Sequence, residues 1–476
     1  MTSPLNAPPP ELIDALTAVV GEAHALREGD AQQERYLKEW RDRYRGRSPL
    51  VVRPRTTAEV SAILSLCNAA RVGVVPQSGN TGLVGGQIPH ETGTEIVLSL
   101  DRMTSIRGLD ADGQTLTAEA GVTLAAVQEA ARAAGLMFPL AMASEGSACI
   151  GGNLATNAGG IAVLAHGTAR ALVLGIEAVL ADGRVLSGLT GLKKDNTGYD
   201  LRDLLVGSEG TLGVITAATL KLVAPPRDTA TGFVALAGMD ALVAFFRLAS
   251  RQSGSSLTAF EFMSARALEF ALRHGGVSAP FADVSAPCTV LLEISTSEPG
   301  RATPLIEALL ADAMAQGLVT DARIASSAAQ QAAMWHLREQ MSEVQKHEGG
   351  SIKHDVSLPV ARIPEFLKRA AEIIERICPG ARPVPFGHLG DGNVHYNVSQ
   401  PPGADKQQFL ALWGVMSEAI HALVADMEGS ISAEHGIGRM KRADLRRHKD
   451  PVALELMRAI KAAFDPNGIL NPGKVL

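Results

Sequence analysis

Val72-Gly73-Val74-Val75-Pro76-Gln77-Ser78-Gly79-Asn80-Thr81-Gly82-Leu83-Val84-Gly85-Gly86 is the stretch on which the fold turns. Its first residues are short, apolar and β-branched, the composition of a strand. The strand runs into a loop with four glycines, Ser78 and Thr81, whose backbone N–H groups can cradle phosphate oxygens. A Rossmann turn would need a helix straight after the glycines, with Asp101, just past Ile96-Val97-Leu98-Ser99-Leu100, as its ribose acid. Gly85-Gly86-Gln87-Ile88-Pro89 cannot open such a helix. That leaves a phosphate loop between strands, or a glycine-rich surface turn.

Two further glycine blocks follow. Residues 146–160, from Gly146-Ser147-Ala148-Cys149 through Gly151-Gly152-Asn153 to Ala158-Gly159-Gly160, are too apolar for a linker and too rich in glycine for a helix. Their small side chains let backbone pass close to a large flat ligand. The third block runs from Asn196 to Gly207-Ser208-Glu209-Gly210-Thr211-Leu212-Gly213, followed by a strand over 214–222 and a domain boundary at Pro225-Pro226.

Around these blocks the patterning is mixed. Residues 1–45 read as helical after Pro8-Pro9-Pro10, with Leu12, Leu16, Val19 and Val20 at helical spacing. Val51-Val52 is extended, and a helix follows with Thr57 as its N-cap. Strands are expected at 95–100 and 114–118, a helix from Thr123 to Ala134, and a hairpin turning at Ala181-Asp182-Gly183. From about 230 the pattern is coarser α+β, with strands near 232–236 and 289–294. Helices are expected near 239–251, 303–316, 328–347, 403–428 and 451–464.

Composition excludes several classes. With 476 residues the chain exceeds one hydrophobic core. A hydrophobic share of 46% indicates an ordered globular protein, and 44 Lys and Arg against 50 Asp and Glu give a net charge of −6, which offers nucleic acid nothing. Cys67, Cys149, Cys288 and Cys378 are scattered, as for reduced thiols of a cytoplasmic protein. No stretch approaches the roughly 18 apolar residues of a membrane span.

Polar chemistry gathers late. Gly387-His388-Leu389-Gly390-Asp391-Gly392-Asn393-Val394-His395-Tyr396-Asn397 sets two imidazoles seven positions apart, and Ser432-Ala433-Glu434-His435-Gly436-Ile437-Gly438 adds a carboxylate and a third imidazole. Two histidines and a carboxylate are a common ligand set for a catalytic divalent ion. On one flat strand an odd spacing would send His388 and His395 to opposite faces, so only a turn at Gly390-Asp391-Gly392 can unite them. The spacing permits a metal centre without demanding one, and alone it fits two loop histidines bonded to carbonyls.

Taken together, Pro76–Gly82, the two later glycine blocks, Gly387–Asn393, Glu434–Gly438 and the closing Phe464-Asp465-Pro466-Asn467-Gly468-Ile469-Leu470-Asn471 resemble one family in order. They are similar to the FAD-linked D-2-hydroxyacid dehydrogenases, a branch of the vanillyl-alcohol-oxidase/p-cresol-methylhydroxylase superfamily. The resemblance implies an α+β fold: a two-subdomain α/β FAD-binding domain of the p-cresol-methylhydroxylase type and an α+β cap with an antiparallel sheet. The expected division is a helical segment at 1–45, the FAD domain at 46–224, the cap at 225–425, and a C-terminal segment at 426–476 returning to the FAD domain.

The same resemblance implies roles. FAD contacts fall on Pro76, Gln77, Ser78, Gly79, Asn80, Thr81, Gly82, Gly85, Ser144, Gly146, Ser147, Gly151, Gly152, Asn153, Thr156, Asn157, Gly159, Gly160, Glu209, Gly210, Gly213, Val214, Ile215 and Asn471. The flavin is expected to be non-covalent, because Ser78-Gly79-Asn80-Thr81 offers no His or Cys. His388, His395 and Glu434 would hold a divalent metal, zinc foremost, with His435 as base. Arg338 and Ser342, at i, i+4 on one helix, would grip a distal carboxylate with Lys353, and Asn397 the hydroxyacid end. The substrate is a small D-2-hydroxyacid, tilted towards D-2-hydroxyglutarate or D-malate, with D-lactate as the alternative. Electrons would pass to an electron-transfer flavoprotein or quinone, or to oxygen if the enzyme is an oxidase. A homodimer is left open.

Overall fold

Among the described residues three sheets order the chain, each built from a continuous run of sequence. The computed structural model describes residues 4–281 and 284–476. It divides into a first unit, reaching to Gly160 and including His166–Ala224 and Glu434–Leu476, and a second of Ile161–Ala165 and Pro225–Ala433.

In the first unit, β1 (Ala25–Arg27), β2 (Leu50–Val52), β3 (Gly73–Gln77) and β4 (Glu95–Ser99) form a sheet in the order β1-β2-β4-β3. β2 and β3 run parallel to β4. Parallel strands covered on both faces read as unbroken apolar runs, and Leu50, Val51, Val52, Ile96, Val97 and Leu98 are all buried. The helices Pro10–Val20 and Thr57–Ala70 pack Leu16, Val60, Ile63 and Leu64 into the same core. The chain end returns here: Leu470 bridges Val74, and Asn471 N–H donates to the Val74 carbonyl.

A second sheet takes β5 (Ile106–Asp110), β6 (Thr115–Glu119), β7 (Val173–Val179), β8 (Val185–Gly188) and β9 (Val214–Lys221) in the antiparallel order β5-β6-β9-β7-β8. The helices Leu124–Ala133 and Ile150–Ala155 close its core through Leu124, Val127, Ile150 and Leu154.

Several local expectations need correction. Residues 1–45 are not one helical segment. The helix stops at Gly21 (φ 82°), a conformation glycine adopts freely, and Ala25–Arg27 then pairs with Leu50–Val52. Thr56, not Thr57, caps the next helix, accepting from Glu59 N–H; the Thr57 hydroxyl donates to Glu177 instead. The second glycine block does contain a helix, Ile150–Ala155. Its Gly151 serves close packing, since a Cβ there would sit 2.6 Å from the Ala120 methyl. The helix begun at Ala328 ends at Gln340, and Lys406–Ala411 and Trp413–Asp426 replace a single helix over 403–428.

The second unit is one antiparallel sheet of β10 (Asp228–Leu236), β11 (Leu257–Ser264), β12 (Cys288–Thr296), β13 (Val319–Ile324), β14 (Ser351–Ser357), β15 (Arg382–His388) and β16 (Asn393–Ser399). Their order is β13-β10-β12-β11-β15-β16-β14. Strand alternation sorts its faces. Phe260 and Phe262 of β11 enter the core under helices such as Ala241–Ser253 and Ile363–Ile377. Met263 and Phe386 instead meet Leu337 of the Ala328–Gln340 helix on the other face.

Candidate active site

The two histidines of the second unit share one face because the chain reverses between them. β15 ends at His388, a short turn covers Leu389–Asp391, and β16 starts at Asn393. Gly392 makes the reversal with φ 83°, and a Cβ there would lie 2.3 Å from the Leu358 carbonyl oxygen. In the resulting register Phe386 lies opposite His395, so His388, two residues on, projects from the same side. The imidazole centroids are 5.4 Å apart and nearly perpendicular.

Each ring has a carboxylate at Nδ1. Glu261, opposite His388 on β11, places Oε1 2.8 Å from His388 Nδ1. Asp355, opposite His395 on β14, places Oδ1 3.5 Å from His395 Nδ1 and accepts from Asn393 Nδ2 at 2.9 Å. A carboxylate beside Nδ1 favours the tautomer that leaves Nε2 as a metal ligand, so the donor set fits a divalent ion. Burial works to raise the Glu261 pKa, but the charges of His388 and Arg338 outweigh it and hold this carboxyl below its usual range.

Lys353 and Asn397 face each other one pleat further along β14 and β16. Lys353 Nζ donates to the Ser342 carbonyl at 3.0 Å. Ser342 does not share a helix face with Arg338. The helix has ended at Gln340, which leaves Ser342 exposed while Arg338 is buried. Arg338 places Nη2 2.7 Å from Glu261 Oε2 and stacks its guanidinium 4.9 Å over Phe386. Its buried Nε finds no hydrogen-bond acceptor among the described residues.

In the first unit the three glycine blocks converge. A Cβ on Gly79 would fall 2.2 Å from the Ser147 carbonyl oxygen, so the first loop lies against the Ser144–Cys149 turn. Ser78 Oγ donates to the Ala120 carbonyl, and Gly151 packs on the same residue. The third block joins them: a Cβ on Gly210 would approach Pro76 at 3.1 Å, and Glu209 N–H donates to the Ala155 carbonyl. Asn471 ties the group, donating to the carbonyls of Gly86 and Glu209.

Asn80, Asn157, Glu209 and Asn471 all hold positive φ, a strained conformation for non-glycine residues that clusters at ligand sites. Gln77 and Asn80 are braced from the N-terminal segment through the carbonyls of Tyr36, Arg35 and Lys38. Val214 and Ile215 open β9, with Gly213 packed on Leu205. Asp101 is no ribose acid. It is engaged by Arg53 at 3.0 Å and by Tyr36 Oη at 2.6 Å.

Glu434 and His435 belong to the same unit. Glu434 Oε1 accepts from Gly160 N–H at 3.0 Å, with Gly159 directly beneath the carboxylate. The loop after His435 is pinned by Glu209, whose buried carboxylate accepts from Ile437 N–H at 2.7 Å and Gly438 N–H at 2.8 Å. The Glu209 side chain is therefore committed to this loop.

The sequence motifs assign no role to Glu261 or Asp355. The one local signal is Ala259-Phe260-Glu261-Phe262-Met263, an acid alternating with phenylalanines in a buried strand.

A model described as FAD linked oxidases, C-terminal domain, matches residues 225–475, and one described as FAD binding domain matches 48–188. The chain belongs to the FAD-linked oxidases. As a member of that family it is an FAD-dependent oxidoreductase. It is 40% identical over 439 residues to the Bos taurus protein named D-2-hydroxyglutarate dehydrogenase, mitochondrial, covering 92% of this chain and 78% of that one. To D-2-hydroxyglutarate dehydrogenase of Stutzerimonas stutzeri it is 37% identical, covering 98% and 99% of the two chains. Among solved structures, p-cresol methylhydroxylase matches with a TM-score of 0.78 at 16% identity, covering 98% of this chain and 96% of that one. Alkyldihydroxyacetonephosphate synthase matches at 0.72 and 16%, covering 99% and 86%. These structures establish the fold as that of the p-cresol methylhydroxylase type.

Proposed function

We propose that this FAD-linked oxidase converts a D-2-hydroxyacid to its 2-oxo acid, with D-2-hydroxyglutarate as the first candidate. The reading is carried by one face of the second unit's sheet, where Lys353, Asn397, His395 and His388 project from paired strands. It is supported by relatives that bear that substrate's name.

In this reading the three glycine blocks and Asn471 would hold a non-covalent flavin, and His388, His395 and Glu434 would hold a divalent ion, zinc foremost. FAD, when bound, supplies the acceptor for the C2 hydrogen with its electron pair, and the ion, when bound, supplies the positive charge that acidifies the 2-hydroxyl. His435 takes the hydroxyl proton as general base. Asn397 orients the C1 carboxylate end. Lys353, Ser342 and the Nε–H of Arg338 hold the distal carboxylate, Lys as a point charge and Arg through that single N–H. The 2-oxo acid leaves, and electrons pass on to an electron-transfer flavoprotein or a quinone.

The test is anaerobic mixing of the yellow protein with D-2-hydroxyglutarate, D-malate and D-lactate in turn, following the flavin's visible band before and after chelator treatment. Bleaching by the dicarboxylates, abolished by chelator and restored by zinc, is the expected result. Bleaching by D-lactate alone removes the clamp and keeps the oxidation. No bleaching by any of the three removes the substrate class.

A further inference from the structure

Arg338 carries a second relation that its proposed role in the clamp does not use. Its Nη2 lies 2.7 Å from Glu261 Oε2, while Glu261 Oε1 lies 2.8 Å from His388 Nδ1. The three side chains form a linear chain, guanidinium to carboxylate to imidazole. All of it is sealed: the side chains are 7%, 1% and 10% exposed respectively. Phe386 floors it, 4.9 Å beneath the Arg338 guanidinium.

We propose that Arg338 and Glu261 are positioning residues of the metal centre, fixing the ring orientation and tautomer of His388. This rests on the metal reading above and deepens it. A buried carboxylate facing His388 alone could turn about its last torsion; the guanidinium on its far oxygen fixes that torsion. With Oε1 so held, His388 keeps its proton on Nδ1 and Nε2 is the atom left to ligate. An Arg that only gripped substrate would have no bearing on metal binding. This Arg does.

The experiment measures zinc affinity without substrate, by competition with a chromophoric chelator on metal-stripped flavoprotein. The proteins compared are the wild type, Glu261→Gln, Arg338→Met and Lys353→Met. Gln keeps the size of Glu261, but it either sets an amide donor against Arg338 or turns that donor onto His388 Nδ1 and forces the wrong tautomer. Glu261→Gln and Arg338→Met are each expected to weaken zinc binding about 10- to 100-fold, the range for residues behind a metal ligand. Lys353→Met is expected to leave zinc affinity unchanged. Wild-type affinity in both the Glu261 and Arg338 variants overturns the inference and leaves the metal reading standing. A wild type that binds no zinc at one per chain overturns the metal reading, and the inference with it. Retained flavin colour and melting temperature verify folding, and if Arg338→Met does not fold, Glu261→Gln decides alone.

Discussion

His435→Ala removes the proposed base while Glu434 and its bond to Gly160 remain. Turnover is expected to fall about 10²- to 10⁴-fold. Flavin and metal content should stay at wild-type levels, as read by anaerobic bleaching rates beside metal analysis. Glu348, at the end of a short helical turn, meets Arg273, His274 and Arg382. Burial works against its charge, but hydrogen bonds from His274, Arg382 and Arg273 outweigh that and lower its pKa from 4.5 to about 2. A depressed carboxyl pKa gives stability that is complete above the unfolded value and is lost as pH falls from 4.5 towards about 2. Glu348→Gln should therefore lower the melting temperature at pH 7 more than at pH 3, as thermal unfolding at the two pH values will show.

The hairpin of β15 and β16 is the element that turns two histidines seven positions apart towards one face. Its reversal depends on Gly392, where positive φ and the nearby Leu358 carbonyl both exclude a side chain. Gly392→Ala should cost about 1–3 kcal/mol. It should also lower zinc content, because the register that faces His388 and His395 the same way begins there; calorimetry with metal analysis measures both. The sequence made this element legible in outline. An odd spacing across a Gly-Asp-Gly turn has one solution that unites the rings, and the strands adopt it. What stayed hidden was the neighbour. Glu261 sits 127 residues before His388, and nothing local to Phe260-Glu261-Phe262 says which strand β11 will pair with. The continuous helix expected over 328–347 failed for a related reason. Helical spacing carries no record of where the turn after Gln340 must release the chain into β14.

At the scale of the whole molecule the chain leaves its first unit at Pro225 and returns to it at Glu434. The return is secured by Leu470 against Val74, by Asn471 on the Gly86 and Glu209 carbonyls, and by Lys461, which donates to the Thr211 and Leu470 carbonyls. Deleting residues 465–476 removes the Asn471 and Leu470 ties, so the purified protein should lose its yellow colour on gel filtration; retained flavin absorbance would count against that role. By itself the sequence determined the glycine blocks, the family and the identity of the polar groups, because each resides in a short run whose backbone demands specific residues: glycine where chains approach, β-branched apolar residues where strands are covered on both faces. The tertiary structure alone decided which carboxylate stands behind each histidine, that Arg338 is shared with Glu261, and that Glu209 serves the Glu434–Gly438 loop. Those pairings join residues between 40 and 229 positions apart. Sheet order and register bring them together, and periodicity within one strand does not encode either.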